Sequence, residues 1–179
     1  MILSDGTETE PNYFNGLKRA WRLSALKVPN RPLGQAKQVI AEAIKQRQEH
    51  DEVWCVVDKD DLDSTTFDTA IGQATGNVYA AWSNESFELW FVLHYTNAPA
   101  RGVNARDRYI KQLDRLMPTS YNKVADHWTT LEPLLATALQ NADTLMTGYT
   151  SGESPSACCP GTRVQDLIRT LQAEREARG

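Results

Sequence analysis

The chain has 179 residues, enough for one domain with at most a small appendage, and it needs no disulfide or structural metal to bury a core. Hydrophobic residues at 41% and charged residues at 23%, with five Trp, exclude a disordered, collagen-like or coiled-coil chain. A formal net charge of −4 argues against a uniformly basic coat for nucleic acid.

The apolar run Leu89–Leu93 is far too short to cross a bilayer, and no basic-then-apolar leader opens the chain, so no membrane contact is expected. Cys55 lies in an apolar run, and Cys158 and Cys159 are adjacent without a CxxC pattern. Neither a disulfide framework nor a soft-metal site follows, and a cytoplasmic location is expected.

The charges are unevenly spread. From Pro11 to Ala41 there are six basic residues (Lys18, Arg19, Arg22, Lys27, Arg31, Lys37) and no acid. From Glu49 to Asp68 there are eight acids and one Lys59. Two solvated faces would give this pattern. So would a basic surface presenting an anionic substrate to carboxylate-bound metal ions.

In chain order, Ile2-Leu3-Ser4 reads as a short strand ending in the turn Asp5-Gly6. Thr9 or Glu10 near the cap, with Pro11 at the first helical position, predicts a helix to about Leu26, broken by Pro29 and Pro32. Ala36, Val39, Ile40, Ala43 and Ile44 recur at helical spacing, which predicts a second helix over 34–50. Val53–Val57 is a continuous apolar run of strand length, the pattern of a parallel strand covered on both faces. Ser64-Thr65-Thr66 can cap a helix to about Ala74, and Val78–Trp82 is a further short strand.

Ser83-Asn84 then predicts the cap of an apolar helix carrying Phe87, Trp90, Phe91 and Leu93 and ending near His94-Tyr95. Beyond it, 105–117, 127–146 and 163–178 read as helices, with a Ser/Gly/Pro-rich loop over 148–161. Strand and helix alternate in the first half, which predicts an α/β fold with an open, mainly parallel sheet flanked by helices. The expected organisation is an α/β core over 1–100 and a helical C-terminal extension over 101–179 packed on it.

The chemistry centres on Val53–Asp61, an apolar strand ending in Asp-x-Asp. Ligands of open α/β sheets bind outside the carboxyl ends of the strands. Asp58 and Asp60 can present carboxylates to one hard cation such as Mg²⁺, with Asp5, at another strand end, as a third metal ligand. The competing reading is a turn whose acids favour the next helix's N-terminus.

Glu85 and Glu88 lie three apart on neighbouring positions of one helix face, where acids complement the helix N-terminus. Lys18, Arg19, Arg22 and Arg106 are the candidate contacts to a phosphate backbone. His94 is a candidate proton shuttle, with a core or capping role favoured. Trp54, Trp82, Trp90 and Phe87 read as core.

Haloacid-dehalogenase-type phosphatases also end a strand in Asp-x-Asp, but they carry Thr or Val where this chain has Leu62. The Toprim domain pairs such a strand end with an earlier acid followed by Gly, and Asp5-Gly6 with Asp58-Lys59-Asp60 resembles that arrangement, with Asp5 in place of the usual Glu.

Three segments together resemble the RloB-like proteins. Asp5-Gly6-Thr7-Glu8-Thr9-Glu10-Pro11-Asn12-Tyr13-Phe14 is similar to their opening motif, and Val53–Asp61 to their Asp-x-Asp segment. Ser83–Tyr95 is similar to their Ser-Asn-x-x-Phe-Glu-Leu-Trp-x-x-Leu-His-Phe helix. The resemblance implies a Toprim-like fold and a setting in prokaryotic restriction or abortive-infection defence, often beside an AAA or ABC-type ATPase. It also makes Glu88, and Glu10 of the first motif, the candidate catalytic carboxylates, completing the site or orienting water.

Two functions are expected from different classes. One is Mg²⁺- or Mn²⁺-dependent cleavage of DNA or RNA. The other is a non-catalytic partner subunit with a degenerate site. No Gly-x-x-x-x-Gly-Lys-Ser/Thr loop occurs, so nucleotide hydrolysis is expected of an ATPase partner. The stripe Val164, Leu167, Ile168, Leu171 either docks that partner or packs on the chain's own core.

Overall fold

A computed structural model describes residues 1–98 and 106–178. The expected division between 100 and 101, and the expected helix start at 105, lie outside the described residues. The elements are β1 (Ile2–Ser4), α1 (Thr9–Ala20), α2 (Ala36–Gln46), β2 (Val53–Asp58), α3 (Ser64–Gly72), β3 (Val78–Asn84) and α4 (Glu88–Tyr95). They continue with α5 (Arg106–Leu116), α6 (Trp128–Leu131), α7 (Leu135–Thr147), β4 (Gly161–Thr162) and α8 (Val164–Glu176).

The sheet has the order β1-β2-β3-β4, with the first three strands parallel and β4 antiparallel at the edge of β3. This is the expected α/β class with an open, mainly parallel sheet. All of β2 is buried, as a central parallel strand covered on both faces must be.

Side chains alternate across a strand, so β2 divides between two cores. Val53, Cys55 and Val57 pack with Leu3, Trp82 and the α2 residues Val39, Ile40 and Ala43. Trp54 and Val56 face the other way, into a larger cluster holding Phe14 and Leu17 of α1, the apolar residues of α4, and Tyr109 and Leu113 of α5. Asp58 follows the parity of Trp54 and Val56. Its side chain therefore emerges on the face where α1, α4 and α5 converge.

Several expected boundaries shift for identifiable reasons. α1 stops at Ala20, not Leu26, because Arg22 takes a left-handed φ of 55° and Leu23 N–H donates back to Lys18 O at 3.1 Å, closing the helix end. Glu8 is its cap residue and Pro11 sits at the third helical position, where its missing N–H costs nothing. Asp63, not Ser64–Thr66, caps α3, accepting Thr66 N–H on Oδ1 at 2.9 Å. The expected helix over 127–146 is split at Glu132–Leu134, where Pro133 removes a donor.

Ser83 and Asn84 are not helix caps. β3 continues through both, because β4 offers them partners: Ser83 pairs with Thr162 and Asn84 with Gly161. The Asn84 amide donates to Pro155 O and Ser156 O at 3.2 and 2.9 Å. The C-terminal part thus contributes a strand to the sheet as well as helices.

The stripe Val164, Leu167, Ile168 and Leu171 on α8 is buried in the same cluster as Ile2 and Trp54. It closes the chain's own core and is not a free docking face. Leu167→Ala is expected to cost about 2–5 kcal/mol in urea unfolding, the usual range for a fully buried Leu. Deletion of the residues after Gly161 is expected to abolish the cooperative transition. A Leu167→Ala midpoint unchanged from wild type would refute this placement.

Candidate functional site

Parallel strands send their carboxyl ends the same way, and β1 and β2 deliver Asp5 and Asp58 side by side. Asp5 Oδ2 accepts Asp58 N–H at 2.8 Å, and Asp5 Oδ1 accepts Gly6 N–H at 2.9 Å. Asp58 Oδ2 accepts Phe87 N–H at 3.1 Å, so this carboxylate caps α4 through space; its Oδ1 is buried with no hydrogen-bond partner. After β2 the chain turns through Asp60 at φ 47°, a left-handed conformation that Asp tolerates better than most residues. Asp60 N–H is held by Glu85 O at 3.0 Å.

Two helices add carboxylates from their first turns, Glu10 from α1 and Glu88 from α4. Both are buried, at 6% and 3% exposure. Gly6 makes room for the first: a Cβ there would collide with Glu10 Oε2. Glu88 Oε1 accepts Tyr121 O–H at 3.1 Å and faces Lys123 Nζ at 3.7 Å. Arg106 Nη2 lies 3.4 Å from Asp58 Oδ2 and also pairs with Asp60 Oδ1. These groups line one cleft of about 330 Å³, in which six acids, Glu8 among them, face two cations.

Crowding acids out of water raises their proton affinity. Burial pushes the Asp5 carboxyl up to about 6, against the pull of the Asp58 N–H. Burial and the Asp5 charge push Glu10 up to about 8. Burial, then the charges of Asp5 and Glu10, hold Asp58 well above the usual carboxylate range, and burial raises Asp60 against the pull of Arg106.

Of the residues singled out in the sequence, Asp5, Asp58, Asp60, Glu10, Glu88 and Arg106 meet in this cleft. Lys18, Arg19 and Arg22 do not. Lys18 and Arg19 lie in the last turn of α1, about 12 Å along its axis from Glu10, Arg22 lies past the helix end, and Arg19 pairs with Asp126. His94 is a core residue: Nδ1 donates to Trp90 O at 2.9 Å, and burial lowers the ring to about 4, so it stays neutral. Trp54, Trp82, Trp90 and Phe87 are core.

Sequence reasoning missed Lys123 and Tyr121. They lie between helices, where no periodicity marks a side chain as facing inward.

The family profile described as RloB-like protein matches residues 1–171. The chain belongs to the RloB-like family. No curated protein and no solved structure matches it significantly. The match extends well past the motifs at 5–95 and takes in the residues of α5, α6, α7, β4 and the first part of α8.

The cleft also fits the divalent metal expected of it, as judged by its donors. Its carboxylate oxygens are hard ligands suited to Mg²⁺ or Mn²⁺, and Asp58 Oδ1 is a buried acceptor with nothing to accept. Among the described residues no three acidic, His or Cys side chains stand as a ready-made metal group. Both Asp5 oxygens accept backbone N–H groups, and Arg106 lies against Asp58 and Asp60.

The raised acids tie stability to pH. A carboxyl whose folded pKa is raised contributes stability that is present at low pH and lost as pH rises through that value. In EDTA, the melting temperature is expected to fall from pH 5 to pH 9, and Glu10→Gln is expected to flatten that fall. A wild-type midpoint that rises over this range would contradict the assigned direction.

Proposed function

We propose that this chain is a Mg²⁺- or Mn²⁺-dependent phosphodiesterase that cleaves nucleic acid. The observation that carries the proposal is the tie between neighbouring strand ends: Asp5 Oδ2 fixes Asp58 N–H while the buried Asp58 Oδ1 is left free to accept. Asp5, Asp58 and Asp60 are the metal ligands of this reading. Bound there, the ion supplies charge neutralisation and Lewis-acid polarisation of a phosphodiester oxygen.

The chain's own groups do the rest. Arg106 and Lys123 lie on the open side of the carboxylates and suit the phosphate oxygens of a substrate. Glu88, held by the Tyr121 hydroxyl, has a fixed orientation from which Oε2 can accept a proton. Glu10, with its raised proton affinity, is the candidate to hold a proton near neutral pH. Lys18, Arg19 and Arg22 suit a more distant stretch of nucleic-acid backbone.

Family membership supports a setting in prokaryotic antiviral defence and, with it, a Toprim-like ancestry for the site and action beside an AAA or ABC-type ATPase. The burial of the α8 stripe directs the search for that partner's docking surface elsewhere.

A second reading has its own observation. The guanidinium on Asp58 and Asp60 is what a degenerate, non-catalytic binding module would retain to neutralise its leftover acids.

Cleavage of single- and double-stranded DNA and RNA with Mg²⁺ or Mn²⁺ separates the two. Asp58→Ala and Asp60→Asn are expected to lower activity by roughly a hundredfold or more, since a lost metal ligand forfeits several kcal/mol of transition-state stabilisation. The second variant leaves the cap on α4 intact. Equal activity in wild type and both variants would assign the cleavage to a contaminant.

A further inference from the structure

Arg106 is an unusual occupant of this cleft. A well-formed Arg–carboxylate contact is a fork with two parallel N–H donors. Here one nitrogen, Nη2, serves Asp58 Oδ2 and Asp60 Oδ1 together. Arg106 Nε is buried with no partner, and so is Asp58 Oδ1. The guanidinium neutralises both aspartates through one nitrogen, with a long 3.4 Å hydrogen bond to Asp58 Oδ2, and leaves Asp58 Oδ1 unsatisfied.

Its surroundings also let it leave. The Arg106 side chain is 41% exposed, whereas Asp58 is at 6%, so the cation lies on the solvent side of Asp58; Asp60, at 37%, is itself half-exposed beside it. Arg106 is the first residue of α5, and the helix is anchored independently by Tyr109 and Leu113, both fully buried. The side chain can swing out while the helix stays packed. Lys123 is the neighbouring cation, and its ion pair is with Glu88, at 3.7 Å.

We infer that Arg106 is an internal competitor for the metal, holding the Asp58–Asp60 pair until a divalent cation displaces it, and then turning to the phosphate of the incoming strand. The inference rests on the metal-dependent reading above and adds the regulation of that site. A monovalent guanidinium and a divalent ion cannot both lie between the same two carboxylates. Their occupancies are therefore linked, and the linkage is reciprocal. Metal binding frees a cation for phosphate, which makes the protein a better ligand for nucleic acid only once it is loaded.

Mn²⁺ affinity, read by electron paramagnetic resonance on the intact protein without nucleic acid, tests this. Arg106→Gln is expected to bind Mn²⁺ about five- to tenfold more tightly than wild type, from release of a half-exposed, charge-assisted pair. Arg106→Lys keeps a cation and is expected within about twofold of wild type. Lys123→Gln removes the same charge from the neighbouring position and reports the general field of the cleft.

Tighter binding in Arg106→Gln than in Lys123→Gln supports displacement. Arg106→Gln equal to wild type, or no tighter than Lys123→Gln, overturns it and leaves the metal reading standing. Absence of Mn²⁺ binding in wild type and every variant overturns both.

Discussion

The structure turns on one constraint: buried acids must be held together at the end of a sheet. Asp5 and Asp58 repel each other as carboxylates, yet the parallel pairing of β1 and β2 puts them on adjacent strand ends. The bond from Asp58 N–H to Asp5 Oδ2 makes this tolerable, because it converts one acid into an acceptor for the other's backbone. Phe87 N–H does the same for Asp58 at the start of α4. Sheet, helix and acid cluster are thereby one unit, and a change in any of them is felt in the others.

The same constraint explains where the remaining chain goes. The side-chain parity of β2 sends Asp58 to the face covered by α1, α4 and α5, and each of those helices contributes a charged residue from its first turn. Acids near helix N-termini are favoured by the local dipole, which helps place Glu10 and Glu88. Arg106, from α5, is the cation among them. It is held by Asp58 and Asp60.

Much of this was legible in the amino-acid sequence, and the reasons are local. The run Val53–Val57 announces a strand buried on both faces, and an acid directly after such a strand lies at the carboxyl end of the sheet. Asp5, Asp58 and Asp60 could therefore be named before any coordinates. Glu10 and Glu88 come from the motifs resembling the RloB-like proteins, and Arg106 reads as a phosphate contact, not as a partner of the aspartates. What could not be read depends on contacts distant in sequence. Ser83 and Asn84 look like caps until Gly161 and Thr162 pair with them. Lys123 enters the cleft, and Tyr121 reaches Glu88, from a connection with no periodicity, while Lys18 and Arg19 share a helix with Glu10 but occupy its opposite end and Arg22 lies beyond it. The α8 stripe reads equally as interface or core until Ile2 and Trp54 are found beneath it.

The account's central claim is that the acids at the carboxyl ends of β1 and β2 bind a divalent cation in the folded protein. Thermal unfolding across a Mn²⁺ titration tests it most directly, because a ligand of the native state raises the midpoint with the logarithm of its concentration. The account predicts such a rise for wild type and its loss in Asp58→Asn. A wild-type midpoint indifferent to Mn²⁺, or an equal rise in the variant, would contradict it.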